Sequence, residues 1–517
     1  MADAIQPGAA HPGRRALADW RASHAQGRAA GAARSAGWIA GWTGALLIVL
    51  LLYILIGHNP YNHDLTFDPL TGGALMSPVN RWIWLGLLAA AAPILVARRA
   101  DLPAFARRLW PVILLFAWFG VTTTWAIDPA ASQRRFTLML IGLVICIAVR
   151  MGLPRARDRF AAIAWACAIM VLIDLASWIV APAASMTDLG LAAIHNHKNT
   201  LGAVALFVGL VLAPYAAAQT TPGRRLFWWG LVAGDLALLI ASQSKTSLGI
   251  AVAAVLAAPV ILTMAGLRAR LLWSLAIAAL AALAAAAFGW LAWCGLNGLD
   301  PLWPIEQLNF THRTDVWRFL VDEIAKRPVG GVGFGSFWDV DPSVQPSLKT
   351  DEWFAKPDAP TNEAHNGYLD LMATTGIAGL VGGLALLFRW IWGGLTMIRE
   401  ARMARIFPLQ TPSPPGLSRG LGNTGGEFGA PRVNASRSRS LAPGTSPGVT
   451  ELLVNSTKRD AVQAAALLPY AVFLGLFPLI FFIHNWMESS YFTADSPYGL
   501  IILLVGVDID MRAKGAG

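Results

Sequence analysis

Residues 37–57 read GWIAGWTGALLIVLLLYILIG, an unbroken apolar run without a charged side chain. A helix needs about 20 such residues to cross the hydrocarbon core of a bilayer, so the stretch predicts a membrane span. The pattern recurs at about 81–97, 109–127, 136–152, 160–182, 199–218, 226–241, 247–266, 271–293, 376–398, 461–483 and 497–509. These runs predict an all-α polytopic membrane protein of about 12 transmembrane helices, with one large extracytoplasmic loop between spans 9 and 10. Composition agrees: 56% of the residues are hydrophobic and 14% charged, where soluble chains average about a quarter charged.

The formal net charge of +10 is not gathered on one domain. Arginines cluster between the apolar runs, at Arg14/Arg15, Arg98/Arg99, Arg107/Arg108, Arg155/Arg157/Arg159, Arg224/Arg225, Arg268/Arg270 and Arg399/Arg402/Arg405. That spacing is what the positive-inside rule produces in cytoplasmic loops. It therefore argues for topology and against a nucleic-acid partner. A cytoplasmic N-terminus puts every cluster inside, and both termini are expected in the cytoplasm. Trp38, Trp82, Trp110 and Trp293 stand near span ends, as interfacial anchors do. Cys146, Cys167 and Cys294 show no metal or CxxC spacing, and neither a disulfide nor a metal role is expected of them.

The expected organisation is a basic cytoplasmic tail (1–36), spans 1–9 (37–293), a periplasmic catalytic loop (294–375), span 10 (376–398), a cytoplasmic segment (399–460), spans 11–12 (461–509) and a cytoplasmic tail (510–517). The first run reads as an uncleaved signal anchor. The 294–375 loop holds six basic and twelve acidic residues, opposite to the overall balance. Within it, 313–327 has a helical pattern, 331–335 is turn-rich, and a second helix is expected from about 363. Residues 407–457 are dense in Pro, Gly and Ser and read as disordered.

Nearly all the unusual polar residues fall on the outer side. Trp125-Ala126-Ile127-Asp128-Pro129, Ser132 and Arg135 follow span 3. His195-Asn196-His197-Lys198-Asn199 precedes span 6, and Ser242-Gln243-Ser244-Lys245-Thr246 precedes span 8. Thr311-His312-Arg313 and Glu363-Ala364-His365-Asn366-Gly367-Tyr368 lie in the large loop, and Glu488-Ser489-Ser490 follows span 11. Lysine and arginine are disfavoured in short outer loops, so Lys198, Lys245 and Arg135 call for an anionic ligand. A lipid diphosphate at the membrane surface is the leading candidate. His365, at a helix start leading into span 10, is the natural acid/base candidate, since imidazole titrates near neutrality. A histidine making an ordinary hydrogen bond there is the plainer alternative.

Together these segments resemble the O-antigen ligase and Wzy-type polymerase superfamily. The resemblance rests on His365-Asn366 followed by Gly376-Ile377-Ala378-Gly379, on Trp125-Ala126-x-Asp128-Pro129 with Ser132 and Arg135, on His197-Lys198-Asn199, on Arg313-x-x-x-Trp317, and on Arg327-Pro328-Val329-Gly330-Gly331-Val332-Gly333-Phe334-Gly335. The His197-Lys198-Asn199 and Gly335-Ser336-Phe337-Trp338 elements are similar to exopolysaccharide polymerases in particular. It covers about residues 37–400 and 461–509. It implies a membrane glycosyltransferase of the bacterial inner membrane, working without metal or other cofactor on an undecaprenyl-diphosphate-linked oligosaccharide donor. The acceptor would be a glycan or lipid A–core, with chain-length regulators and export proteins as partners beside the lipid bilayer. Carried over, His365 becomes the general base and Arg313 a diphosphate ligand. Lys245 stands where family members often carry arginine, keeping the charge but losing bidentate geometry. Asn366, Glu488 and His197 complete the candidate site.

Other residues have blander readings. The glycines of 331–335 suit a tight turn better than a nucleotide cradle, because no strand–helix unit surrounds them. Asp174 and Asp235 fall inside spans, where a functional role and pairing with a neighbouring helix are equally good accounts. Arg389 suits snorkelling, and Thr311-His312 loop structure. A competing class is a transporter or flippase for lipid-linked sugars. Against it stand the absence of an internal repeat and the crowding of polar residues on one face.

Overall fold

A computed structural model describes residues 37–62, 78–265, 269–298, 313–355, 361–406, 467–493 and 496–512. The expectations for the 1–36 tail, for Thr311-His312 and for the 407–457 segment lie outside these residues. The helices are α1 (Gly37–Ile56), α2 (Pro78–Ala97), α3 (Leu102–Arg108), α4 (Trp110–Thr122), α5 (Pro129–Gly152), α6 (Ala156–Val180), α7 (Pro182–Ser185), α8 (Lys198–Ala217), α9 (Pro222–Ala241), α10 (Lys245–Met264), α11 (Ala269–Asn297), α12 (Arg313–Lys326), α13 (Gly367–Ile406), α14 (Leu468–His484) and α15 (Pro497–Asp510). A two-residue hairpin, Met186–Thr187 against Gly190–Leu191, is the sole sheet among the described residues.

The fold is all-α and the chain is a multi-pass membrane protein. All twelve apolar runs emerge as helices over the residues described. Among the described residues, seven helices are long and apolar enough to cross a membrane, or eight if the bent pair around Leu109, which turns by 82°, forms one span. The expected count of twelve is therefore not reached by length and composition. Helices α9, α11, α14 and α15 stand outside the seven or eight. Many large apolar side chains face outward, Val180, Leu226, Val255 and Phe288 among them. Such a surface suits hydrocarbon and would be an aggregation liability in water.

The two ends of the bundle differ in kind. At one end, Asp508 of α15 is buried, lies 2.9 Å from Arg150 Nε and 2.6 Å from Arg159 Nη2 in two ion pairs, and accepts from Arg159 Nε at 3.0 Å and from the Tyr470 hydroxyl. Arg389 pairs with Asp510 at 2.7 Å, so it has a specific partner as well as an exposed stem. Buried charge is tolerated there because it is paired and hydrogen-bonded. The other end gathers the segments between α4 and α5, between α6 and α8, between α9 and α10, before α13, and between α14 and α15.

Two local devices build that second end. Helix α12 carries Val316, Leu320 and Ile324 at four-residue spacing, which makes one apolar stripe. All three are buried against Val332, Phe337, Phe354, Ala364 and Ala373. Each such side chain contributes about 1.5–3 kcal/mol by leaving water, so the helix lies flat over the loop instead of standing free. Helix α13 starts at Gly367, within the expected loop, and is broken at Gly376 (φ 68°, ψ −173°). There Ile377 N–H donates to the Pro328 carbonyl at 2.8 Å, while Val332 N–H and Gly333 N–H donate to Ala373 and Thr374. A Cβ at Gly376 would stand 2.0 Å from the Val329 oxygen, so only glycine admits this approach.

Candidate active site

His365, two residues before α13, occupies a left-handed backbone conformation (φ 49°), which non-glycine residues adopt rarely and often at functional positions. The flanking backbone is held from four directions. Ala364 N–H donates to Asp370 Oδ2 at 3.1 Å, and the Ala364 carbonyl accepts from Trp317 Nε1 at 2.8 Å. Asn366 N–H donates to Ser489 Oγ at 3.1 Å and Gly367 N–H to the Asn485 carbonyl at 2.9 Å. The Asn366 side chain caps α13 by accepting from Tyr368 N–H and Leu369 N–H. The imidazole is thus set by the segment before α13 and the turn after α14 together.

Two carboxylates meet one ring nitrogen. His365 Nδ1 lies 2.7 Å from Glu363 Oε1 and 3.4 Å from Glu488 Oε2. Glu488 Oε1 lies 3.5 Å from Arg313 Nη2, and Arg313 Nη1 donates to the Met487 carbonyl. Burial disfavours a charged His365, yet the hydrogen bonds to Glu363 and Glu488 outweigh it and lift the imidazole from 6.5 to about 9. Burial pushes Glu488 up, while the hydrogen bond and charge of His365 and the charge of Arg313 hold it below its ordinary value. With Nδ1–H donated to carboxylate, the ring's other nitrogen carries the acid/base lone pair. The ligand atoms of Glu363, His365 and Glu488 lie within 4.8 Å of one another, which is also a spacing a cation could use.

Of the expected site residues, the structure brings Arg313, His365, Asn366 and Glu488 together. The others are placed differently. Arg135 donates to the carbonyls of Gly335 at 2.5 Å, Trp338 at 2.7 Å and Asp339 at 3.0 Å. Beside it, Asp128 caps α5 and Ser132 Oγ donates to the Phe334 carbonyl. This cluster clasps the glycine-rich loop to α5. His197 caps α8, accepting at Nδ1 from Asn199 N–H at 3.2 Å, and Lys198 Nζ donates to the Leu189 carbonyl at 3.1 Å. Lys245 is exposed at the first position of α10. The starts of α8 and α10 touch, since a Cβ at Gly202 would lie 2.5 Å from Ser244 Cβ. Both lysines therefore crown neighbouring helix N-termini, where the helix dipole also favours an anion.

Glu363 makes the shorter contact to His365 and was not singled out from the sequence, although it stands two residues away in the same motif. Asn485 and Asp370 were missed as well, being recognisable only once α14 and α13 meet, and Ser489 was noted only as part of the polar patch after span 11. Among the buried span residues, Asp174 pairs with His195 Nε2 at 3.2 Å. Asp235 packs over Gly209 of α8. The three cysteines are free and buried.

Residues 230–383 match the family model described as Wzy_C, O-antigen ligase. The match supports the O-antigen ligase and Wzy superfamily and, with it, a membrane enzyme of O-antigen or polysaccharide assembly. It spans Lys245, Arg313, Glu363, His365 and Asn366, and leaves out Arg135, His197, Lys198 and Glu488. No curated protein matches the chain.

Proposed function

We propose that this enzyme transfers oligosaccharide units from an undecaprenyl-diphosphate-linked donor onto a glycan acceptor, at the periplasmic face of a bacterial inner membrane and without a metal. Exopolysaccharide polymerisation is the leading reading and transfer onto lipid A–core the alternative. The observation that carries the proposal is the single cluster of a carboxylate-bound histidine and an arginine, joined through Glu488. The acceptor hydroxyl attacks the anomeric carbon, and the carbon–oxygen bond to the diphosphate breaks with its electron pair going to the phosphate oxygen. The hydroxyl proton passes to the free nitrogen of His365. Arg313 offsets the charge growing on the leaving diphosphate, and the lysines at the starts of α8 and α10 add to the same field.

The two carboxylates on Nδ1 favour a second assignment within the same reaction. In it His365 stays charged beside the diphosphate and a glutamate accepts the proton. The two differ in sign: a neutral histidine base gives a rate that rises with pH through about 9, and a required imidazolium gives one that falls there. Purified enzyme supplied with lipid-linked repeat units should release undecaprenyl diphosphate and lengthen the glycan, undiminished in a chelator. Activity that disappears in chelator and returns with a divalent ion would refute the metal-free mechanism and give the Glu363–His365–Glu488 group a different role. The transporter class makes its own demand: Asp174→Asn or Asp235→Asn abolishes function while His365→Ala is tolerated.

A further inference from the structure

Glu488 divides its two oxygens between two cationic partners and holds neither closely. Oε2 is 3.4 Å from His365 Nδ1 and Oε1 is 3.5 Å from Arg313 Nη2, where a charge-assisted N–H···O bond spans about 2.7–2.9 Å. Oε1 is buried and has no hydrogen-bond partner among the described residues, an unfavourable state for a carboxylate oxygen. The Glu488 and Arg313 side chains are only 16% and 14% exposed, so water screens the pair incompletely. Among the described residues, Arg313 is otherwise held at this site by one carbonyl, that of Met487. A guanidinium whose carboxylate contact is this long, to an anion that also faces an imidazole, can exchange that carboxylate for a better-matched anion. Two phosphate oxygens match its planar fork.

We infer that Glu488 competes with the donor's diphosphate for Arg313, holding the arginine in the empty enzyme and reclaiming it as the polyprenyl diphosphate leaves. This rests on the proposed diphosphate role of Arg313. Glu488 is then a positioning residue that prevents the spent carrier from clogging the site, a need that grows with every added unit of a polymer. Glu363, which makes the shorter bond to His365, keeps the imidazole in place while Glu488 changes partner.

The test uses the full-length protein in nanodiscs, with undecaprenyl diphosphate as the probe for direct binding and for inhibition of turnover. Glu488→Gln and Glu488→Ala should bind it about fivefold tighter than wild type, the worth of one partly exposed ion pair, and should be inhibited at correspondingly lower probe concentration. A damaged site would weaken binding, so tightening separates competition from a merely structural role. If both variants melt as wild type does and bind equally or more weakly, while Arg313→Ala loses binding, the competition is wrong and the diphosphate role of Arg313 stands. If Arg313→Ala binds like wild type, the diphosphate reading itself falls and takes this inference with it.

Discussion

At His365 one nitrogen faces two carboxylates, and this sets how the site responds to pH. The raised value means that the His365 pairing stabilises the fold fully below about 6.5 and loses that contribution as pH rises through about 9. Glu363→Gln removes the closer carboxylate, so the pH at which the rate changes should fall by about 1–2 units. A pH–rate profile checks this, and an unmoved profile would show that Glu363 does not govern the imidazole. Arg135 makes the opposite case, of a cation whose partners are structural. Arg135→Ala strips three loop carbonyls of a charged donor and should cost about 2–4 kcal/mol, read as a lower melting temperature; lost donor affinity in an enzyme of unchanged stability would instead place Arg135 in the binding site. The sequence shows an outer cation at both Arg135 and Arg313. It does not show that the loop 335–339 folds back over one of them, because that closure depends on contacts two hundred residues apart.

At the scale of elements, α13 and its break carry the site. The stretch before Gly376 holds the His365 segment through Asp370 and Asn366, and the break lets the 328–334 loop seat against the helix. Gly376→Ala forces a side chain into both an unfavourable backbone region and the Val329 carbonyl. A loss of about 2 kcal/mol or more is expected, together with reduced turnover. Turnover and melting temperature both like wild type would mean that the loop and helix do not need this approach. The helical character of 313–326 was legible from its four-residue apolar spacing, and the kink was not, since a glycine within an apolar run reads equally as a packing residue. The turn after α14 was legible only as a polar patch. Its role, supplying Asn485, Met487, Glu488 and Ser489 to the histidine segment, needs α14 to pack along α13.

For the whole molecule, polarity divides between the two ends, with paired arginines at one and the histidine site at the other. Asp508→Ala leaves Arg150 and Arg159 buried without their carboxylate, and a loss of about 3–5 kcal/mol is expected; a melting temperature within a degree of wild type would contradict that. The helical class and the apolar runs were legible because length and hydropathy dictate them. The number of true spans was not, because short helices such as α14 and α15 are placed by neighbours as well as by length. The expected orientation is open to a direct check: a reporter fused after Trp338 should report outside and one after Arg439 inside, and a shared compartment would break the topology.

The transferase reading is tested most directly by complementation of a deletion strain at matched membrane expression, scoring high-molecular-weight surface polysaccharide for wild type, His365→Ala and Arg313→Ala. Both variants are expected to lose polymer and to accumulate the lipid-linked repeat unit. Full polymer synthesis by His365→Ala would contradict that reading and turn attention to transport through the bundle.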